Sequence, residues 1–417
     1  MSSNEARDAV EAVWRSESAR IVGALARYTG DFTLAEDLAQ EALAEALVSW
    51  SVSGVPTEPA GWLLTAGRRR AIDSFRRRAV RDEKYALLAR DLSEEEPGVD
   101  TLFSPDSIND DVLALMFISC HPVLSKEARI ALTLRVVGGM GTEEIAKAFL
   151  VPVPTIQARI TRAKKTLAAA RIPFAVPDPQ EIPARLGSVL QVVYLIFTEG
   201  SFASAGDSWM RLELANEARR LARVLVRLTP EPEVFSLLAL MELTAARFPA
   251  RLDANGRPVL LEDQDRRRWD KSAIRRGRAA LSTAVAAGRG LGAYGLQASI
   301  AECHAVARAA AETDWQWIVI LYEALGRLTP SPVIELNRAV AVAMVSGPLA
   351  GLQLVDSLAS RGELRGSHLL PTVRGELLTR LGRHTEAKEA LLEALDLCSN
   401  AAERIALERK IAELADE

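Results

Sequence analysis

Apolar residues recur at intervals of three and four along almost the whole chain, which is the spacing of an amphipathic helix. No run of residues alternates convincingly as a strand would, and the good helix formers Ala, Leu, Arg and Glu dominate. The first apolar faces are marked by Ile21, Leu25, Leu34, Leu38, Ala42 and Leu47, with Gly30 and Asp31 as a break between two helices. The pattern predicts an all-α fold.

The same spacing predicts helices further along the chain. A turn at 53–56 precedes a helix that begins at Pro59 and runs through Arg78, and later helices are predicted at 112–120, 125–137, 143–149 and 154–171. The remaining helices are joined by short Pro/Gly turns, which indicates a stacked helical-repeat array. The clearest unit matches the small and large packing positions of a tetratricopeptide repeat at Gly375, Leu378, Gly382, Ala387, Leu391 and Ala394.

Two stretches interrupt the helical pattern and predict the domain boundaries. Residues 91–111 hold eight acids and no base, with Pro97, Gly98 and Pro105, and are predicted to form a flexible acidic linker. Residues 173–183 hold four prolines and form a second linker. The predicted domains and linkers are 1–90, 91–111, 112–172, 173–183 and 184–417.

The net charge of −4 predicts no overall attraction to nucleic acid, so DNA binding would require local clusters of positive charge. Three cysteines in 417 residues argue against a disulfide framework and fit a reducing compartment. No stretch approaches the roughly 20 uninterrupted apolar residues of a membrane helix. We therefore expect a cytoplasmic protein with no membrane partner.

Residues 141–167 have the pattern of a helix-turn-helix. Thr142 can cap a short helix whose first turn holds Glu143 and Glu144, and Pro154 suits the first turn of a second helix. The apolar stripe of this second helix consists of Ile156, Ile160, Ala163 and Leu167. The side chains predicted to face outward are Thr155, Gln157, Arg159, Arg162, Lys164 and Lys165.

The second helix of this pair is strongly basic, because residues 153–171 hold five bases and no acid. Such a helix is suited to docking in the major groove of DNA. Side chains near its start are expected to meet base edges, and later ones to meet phosphates. The base-edge candidates are Thr155, Gln157 and Arg159, and the phosphate candidates are Arg162, Lys164 and Lys165. The alternative is an ordinary solvated helix in a bundle.

A second basic segment lies at 68–84, where eight bases face three acids and Trp62 comes shortly before. An aromatic ring beside dense positive charge is suited to unpaired DNA, because it offers a stacking face and a track for phosphates. The DNA-binding candidates here are Trp62, Arg69, Arg70, Arg76 and Arg77. The alternative is that Trp62 packs in the core and the arginines are merely solvated.

Taken together, these segments resemble the extracytoplasmic-function sigma factors, the smallest class of the sigma-70 family, over roughly residues 10–172. The stretch 35–43 is similar to the docking helix of sigma region two, which grips the clamp coiled coil of the largest RNA polymerase subunit. The resemblance implies that Asp37, Gln40 and Glu41 face RNA polymerase core. The alternative for this stretch is a plain amphipathic helix.

The two basic segments match DNA-reading parts of the same family. Residues 62–64 and 69–77 are similar to the part of region two that opens the strands and reads the minus-ten element, with Arg69 where many relatives carry Asn. Residues 155–163 match region four, which reads the minus-thirty-five element. The resemblance implies a region two bundle and a region four helix-turn-helix domain, with promoter DNA and polymerase core as partners.

The rest of the chain is similar to one subgroup, in which a tetratricopeptide-like helical domain follows region four. The segments that carry this likeness are 120–122, 194–200, 260–266, 296–298 and 331–339. The resemblance implies that the extension regulates the sigma factor in cis, through intramolecular contact with the sigma domains. The isolated chain is expected to bind DNA poorly, since two weak basic patches gain avidity only when polymerase tethers both.

Nothing in the sequence indicates catalysis, a cofactor or a metal site. The Cys-His dipeptides at 120–121 and 303–304 are poorly spaced for tetrahedral zinc and are predicted to be packing residues. The glycine-rich stretch 290–295 formally fits a dinucleotide fingerprint, but it follows a helix and not a strand. It is predicted to be a turn between helices.

Three hypotheses concern the chain's contacts and its wider role. The charged stretch 262–270, with Trp269, has the composition of a solvated loop, and our hypothesis is that it contacts the sigma domains or polymerase. One alternative function is a one-component helix-turn-helix regulator that acts without polymerase and carries a sensing or protein-binding domain. Another is a tetratricopeptide scaffold whose N-terminal half only packs.

Overall fold

The computed structural model describes residues 3–79, 105–149, 151–178, 180–202, 210–253, 259 and 261–414. Its described residues contain helices, turns and isolated bridges but no strand, and the chain is all-α as the periodicity predicts. Among the described helices, none combines the length and the apolar character that crossing a bilayer requires. The chain divides into two compact units, Met1–Leu195 and Ile196–Glu417.

The first unit begins with three helices that pack on one another. Asp31 caps the second of them, because its Oδ1 accepts hydrogen bonds from the backbone N–H groups of Thr33 and Leu34 at 2.9 and 3.1 Å. Trp50 and Leu25 are fully buried at the centre of this bundle. The helices of the unit are α1 Ser3–Thr29, α2 Phe32–Ser53, α3 Pro59–Ala79, α4 Pro105–Ser119, α5 Lys126–Val136, α6 Thr142–Phe149, α7 Val153–Ala169 and α8 Ile182–Ser201.

Helix α4 corrects part of the predicted acidic linker. Residues 105–111 form its first turns, and 91–104 lie outside the described residues. Asp111 is 4% exposed, and its Oδ2 lies 3.2 Å from Nε of Arg27 on α1. Burial raises the pKa of Asp111 to about 6, against the lowering effect of Arg27. This acid belongs to the core of the unit and not to a solvated linker, because α4 packs on α1.

The second unit is a succession of helices in which each one packs on its neighbours along the chain. Five of the six positions that the repeat pattern singled out are buried, and Leu378, Ala387 and Leu391 are at most 1% exposed. Gly382 is not a packing position, because it is exposed in a turn with φ of +70°. A Cβ on Gly375 would lie 2.7 Å from Cγ of Leu391, so the glycine allows these helices to approach closely. The helices are α9 Leu212–Leu228, α10 Pro232–Ala245, α11 Lys271–Ala286, α12 Ala293–Val306, α13 Trp315–Leu328, α14 Pro332–Ser346, α15 Pro348–Ser360, α16 Leu369–Arg380, α17 His384–Leu397 and α18 Ala401–Glu413.

The division between the units falls inside α8 and not in the proline-rich stretch 173–183. The first half of α8 is tied to α4 and α5. Ser188 Oγ donates to the carbonyl of Cys120 at 2.7 Å and accepts from Nη1 of Arg129 at 2.7 Å, and Arg185 Nη2 donates to the carbonyl of Phe117 at 3.1 Å. These hydrogen bonds hold the start of the predicted C-terminal domain within the first unit.

Candidate nucleic-acid and protein interface

Helices α6 and α7 form the helix-turn-helix that the sequence predicts. All four residues of the predicted apolar stripe on α7 are buried, and Pro152 and Pro154 flank the start of the helix. Thr142 is the first residue of α6, and the Oε2 of Glu144 accepts from the backbone N–H of Gly141 at 2.7 Å. A glutamate carboxylate therefore satisfies a backbone donor at the start of α6.

The side chains predicted to face outward on α7 differ in exposure. Gln157, Arg162 and Lys165 are exposed, whereas Thr155 and Arg159 are half-buried. Lys164 corrects the prediction, because its side chain is only 13% exposed. The exposed members of the set keep the helix basic on its outer face, as docking on DNA phosphates requires.

Lys164 is drawn inward by two carboxylates on α2. Its Nζ is paired with Glu36 and lies 2.8 Å from Oδ1 of Asp37. Burial alone would lower the pKa of Lys164, but the two carboxylates raise it above its ordinary value. Glu36 is 3% exposed, so the residue that anchors this contact is a buried acid that the sequence analysis did not single out.

Arg135 on α5 completes the contact. Its Nε lies 3.6 Å from Oε1 of Glu36, and its Nη2 donates to the side-chain oxygen of Gln40. Asp37 and Gln40 were both expected to face polymerase, and in this structure both contact cationic side chains of α5 and α7. We name these residues, Glu36, Asp37, Gln40, Arg135 and Lys164, the interdomain ion cluster.

The third expected polymerase residue, Glu41, is paired with a basic residue of α3. Arg70 Nη1 lies 2.8 Å from Oε2 of Glu41, and Arg70 Nη2 lies 3.0 Å from Oε2 of Glu45. Arg69 reaches Glu45 at 3.4 Å with 63% of its side chain exposed. Exposed ion pairs of this kind contribute at most about 1 kcal/mol to stability, so Arg69 and Arg70 can leave these glutamates for another partner at little cost.

The remaining cations of α3 lie toward its end. Arg76 and Arg77 are exposed, and Nε of Arg77 donates to the carbonyl of Asp73 at 3.2 Å. The side chain of Arg78 and the whole of Arg81 and Lys84 lie outside the described residues. The described part of this basic segment therefore presents Arg69, Arg76 and Arg77 to solvent, with Arg70 half-buried.

Trp62 combines the two alternatives that the sequence left open. Its ring meets Trp50 edge to face, with centroids 5.7 Å apart and an interplanar angle of 70°. Trp50 is fully buried, whereas Trp62 keeps part of its surface exposed at the start of α3. The ring is thus held by the core and still reachable at the surface.

The outer face of α2 carries an apolar strip that the sequence analysis missed. Leu47 was expected on a buried face but is 43% exposed, and Val48 and Val52 are 70% and 86% exposed. Asp37, Glu41, Ala44, Val48 and Val52 recur at intervals of three and four and keep surface exposed, so they share one side of the helix. This exposed apolar strip is a candidate protein-binding surface.

The charged stretch 262–270 is only partly solvated. Trp269 is 2% exposed and packs with Leu243 and Ala273, which corrects the expectation of a loop that is solvated throughout. Asp265 and Asp270 accept backbone hydrogen bonds at the starts of a short 3-10 helix and of α11. Asp263 remains exposed, and its contact with a partner stays a hypothesis.

The Cys-His dipeptides have separate packing roles. Cys120 is buried with its Sγ 3.3 Å from Oγ1 of Thr133, and burial raises the pKa of this thiol to about 11. His304 is buried against Trp315, with ring centroids 5.2 Å apart. Gly290 has φ of +77° in the connection between α11 and α12, so the glycine-rich stretch contains the expected turn and continues into helix α12.

Comparisons with known proteins agree with this arrangement. Residues 13–81 match the family sigma-70 region 2, and residues 114–167 match sigma-70 region 4. Residues 185–285 match a family of unknown function, DUF6596, which covers part of the helical extension. No solved structure is similar enough to the chain to count as a match.

Three relatives are informative. An uncharacterised protein of Rhizobium meliloti is 43% identical over 401 residues, which cover 95% of this chain and 93% of that protein. The ECF RNA polymerase sigma factor SigL of Mycobacterium tuberculosis is 30% identical over 142 residues, covering 34% of this chain and 76% of SigL. The probable ECF RNA polymerase sigma factor SigI of the same organism is 26% identical over 174 residues, covering 42% of this chain and 59% of SigI.

A helix-turn-helix with a basic outer face, joined to a second basic helical bundle, defines a DNA-binding transcription protein. The matches to sigma-70 region 2 and region 4, together with the 30% identity to SigL, identify which class of transcription protein this is. The chain belongs to the extracytoplasmic-function sigma factors of the sigma-70 family. Sigma factors are transcription initiation factors and not enzymes.

Proposed function

We propose that this sigma factor acts in the cytoplasm, binds RNA polymerase core through α2, and directs it to promoters. In this proposal α3 contacts the minus-ten element and α7 the minus-thirty-five element. The observation that carries it is that both helices bury an apolar face and keep cationic side chains exposed on the other. The exposed cations are Arg69, Arg76, Arg77, Arg162 and Lys165.

The docking face that we assign to α2 consists of Asp37, Glu41, Ala44, Val48 and Val52. It is acidic at one end and apolar at the other, a combination that suits a protein partner better than DNA. An acidic end would repel phosphates, and the valines would gain from burial at about 25 cal/mol per Å² of apolar surface removed from water. The clamp of the largest polymerase subunit is the partner that the family implies.

The interdomain ion cluster lies at the acidic end of this face, where Lys164 pairs with Asp37 although 59% of the Asp37 side chain stays exposed, and where Gln40 is half-buried against Arg135. We infer that α5 and α7 must leave α2 before polymerase can reach Gln40 and take Asp37 from Lys164. Separating α5 and α7 from α2 would leave the buried Glu36 without Arg135 and Lys164. The isolated chain therefore favours the form in which α5 and α7 contact α2. This offers a physical reason for the weak DNA binding that we expect of the isolated chain, because Lys164 is not available to a phosphate while it pairs with Glu36 and Asp37.

We further propose that the tetratricopeptide-like extension regulates this opening in cis. Support comes from α8, whose first half is hydrogen-bonded to α4 and α5 through Arg185 and Ser188. A helix that is anchored on region four and continues into the second unit can pass a change in that unit to region four. The same route would serve activation or inhibition.

Binding to purified polymerase core tests the docking face. We expect Val48→Asp and Val52→Asp to weaken core binding by about tenfold or more, since each places a charge in an apolar interface at a cost above about 1.4 kcal/mol. Val285→Asp is the matched control, because Val285 is 55% exposed on α11 in the other unit. Equal binding by all three variants would move the docking site elsewhere. Failure of the native chain to bind core would favour the one-component regulator.

A further inference from the structure

Three potential metal ligands of different chemistry converge near the end of the second unit. His368 precedes α16, Cys398 ends α17 and Glu403 lies in the first turn of α18. The ligand atoms of these three side chains all lie within 4.8 Å of one another. The cluster is separate from every residue that the proposed function uses.

The distances within the cluster suit one small cation. Nε2 of His368 lies 3.1 Å from Oε2 of Glu403, and Sγ of Cys398 lies 3.7 Å from the same oxygen. Zinc binds nitrogen and oxygen at about 2.0–2.2 Å and sulfur at about 2.3 Å, so tetrahedral ligands lie about 3.3–3.8 Å apart. The two separations are within a few tenths of an ångström of this range without any movement of the backbone.

The surroundings hold the ligands in place. Asn400 is 2% exposed and caps α18 by accepting from the backbone N–H of Glu403 at 3.1 Å. Nη1 of Arg404 donates to the carbonyls of Leu395 and Cys398 at 2.6 and 3.1 Å and so fixes the turn that carries the thiol. Hydrogen bonds around a ligand set are what a metal site needs to keep its geometry.

The thiol is poorly satisfied without a cation. Cys398 is 4% exposed, and its Sγ makes two long contacts, 3.6 Å to the carbonyl of Asn400 and 3.7 Å to the carboxylate of Glu403. His368 and Glu403 keep 27% and 29% of their side chains exposed, so an ion can enter from solvent. A simple His–Glu ion pair would account for two of these residues but not for the thiol pointing at the same oxygen.

We propose that His368, Cys398 and Glu403 bind one Zn²⁺ ion, which clamps α18 onto α16 and α17. A nitrogen, a thiolate sulfur and a carboxylate oxygen form a ligand set that zinc accepts, with a fourth position left for water. Binding replaces the thiol proton of Cys398 by zinc and releases that proton to solvent. Affinity for zinc therefore rises with pH.

The sequence analysis did not find this site because its members follow no short motif. Cys398 and Glu403 lie on either side of the connection between α17 and α18, and His368 lies two connections earlier, just before α16. Only the packing of three consecutive helices brings them together. The Cys-His dipeptides drew attention instead because adjacent ligands are visible in a sequence.

Metal titration of the chelator-treated full chain tests the proposal. We expect one Zn²⁺ per chain by elemental analysis, a rise in thermal stability on adding Zn²⁺, and loss of affinity by at least about tenfold in Cys398→Ser and His368→Gln. Cys303→Ser is the control, because this partly buried thiol lies in the same unit and outside the cluster. The control variant should bind zinc like the native chain.

Co²⁺ in place of Zn²⁺ keeps the test decisive should Cys398→Ser fold poorly. A thiolate-to-cobalt charge-transfer absorption in the native chain would support ligation by Cys398, provided that Cys303→Ser retains it. Absence of this absorption, no bound zinc, or undiminished zinc binding by Cys398→Ser would each overturn the proposal. Because no polymerase or DNA is present, failure here leaves the proposed sigma function untouched.

Discussion

Nζ of Lys164, on the second helix of the helix-turn-helix, lies 2.8 Å from Oδ1 of Asp37 on α2. One residue was expected on DNA and the other on polymerase, yet in the isolated chain Lys164 pairs with both Asp37 and the buried Glu36. The family implies two separate partners for these residues. Their mutual contact means that a contact of Lys164 with DNA would compete with its ion pair to Asp37.

Lys164→Met removes the charge but keeps the length of the side chain. We expect the free energy of unfolding to fall by about 2–3 kcal/mol, because Glu36 keeps only Arg135 as a partner. We also expect core binding to tighten by a few-fold, because α7 covers α2 less firmly. Urea unfolding and core titration measure the two effects.

The neighbouring Lys165 provides the control for that variant. It lies on the same helix outside the ion cluster, so Lys165→Met should change the free energy of unfolding by no more than about 0.5 kcal/mol. Weaker core binding by Lys164→Met than by Lys165→Met would contradict the covering role of the cluster.

Arg162 and Lys165 remain exposed on α7 and should carry phosphate contacts in the holoenzyme. Each replacement by alanine is expected to reduce the slope of log affinity against log salt concentration by about 1. The assay is a salt titration of holoenzyme binding to promoter DNA. Arg267→Ala is the control, since its side chain is 92% exposed but lies outside both basic helices. An unchanged slope for Arg162→Ala and Lys165→Ala would remove α7 from the DNA contacts.

Local spacing explains what the sequence predicted well. The stripe on α7 and the breaks at Asp31 and Pro154 were predicted because helix periodicity, caps and prolines act within a few residues. Lys164, Leu47 and Asp111 were misplaced because their exposure depends on whether another helix covers them, which local spacing does not specify. The family resemblance identified the domains, but it does not reveal that Glu36 is buried beneath Lys164 and Arg135.

Glu242 is a buried acid surrounded by three arginines and supports the second unit. It is 1% exposed, lies 2.7 Å from Arg219 and 3.1 Å from Arg276, and also pairs with Arg223. These partners hold the pKa of Glu242 below its ordinary value in spite of burial. Glu242→Gln should lower the free energy of unfolding by about 3–5 kcal/mol, because it leaves the arginines without their shared charge.

Glu302→Gln is the control for Glu242→Gln. Glu302 pairs with Arg278 at 2.7 Å, but that arginine side chain is 57% exposed, so the loss should stay below about 1 kcal/mol. Denaturant unfolding of both variants measures the difference. Similar losses in the two would contradict the structural role assigned to Glu242.

His304 makes the stability of the second unit sensitive to acid. Burial, with the nearby positive charges of Arg247 and Arg266, lowers its pKa from 6.5 to about 3. Between these values the unfolded chain binds a proton that the folded chain does not, so stability is full above pH 6.5 and falls as pH drops toward 3. His304→Gln should lose stability less steeply across this window, by up to about 1.4 kcal/mol per pH unit. Parallel curves of stability against pH for the two proteins, each point from urea unfolding, would contradict this assignment.

Gly200, near the end of α8, allows α9 to approach its backbone. A Cβ at this position would lie 2.3 Å from the backbone nitrogen of Ala215, and Arg211 N–H already donates to the Gly200 carbonyl at 2.8 Å. Gly200→Ala should therefore lower the free energy of unfolding by about 1–3 kcal/mol.

Gly187 lies on the same helix, and a Cβ there would have no neighbouring atom within 4 Å, so Gly187→Ala should raise the free energy of unfolding by up to about 1 kcal/mol. Because helix propensity does not disfavour alanine at either position, an opposite sign of the two effects in urea unfolding isolates the close approach to α9. A stabilising Gly200→Ala would show that the two helices lie further apart.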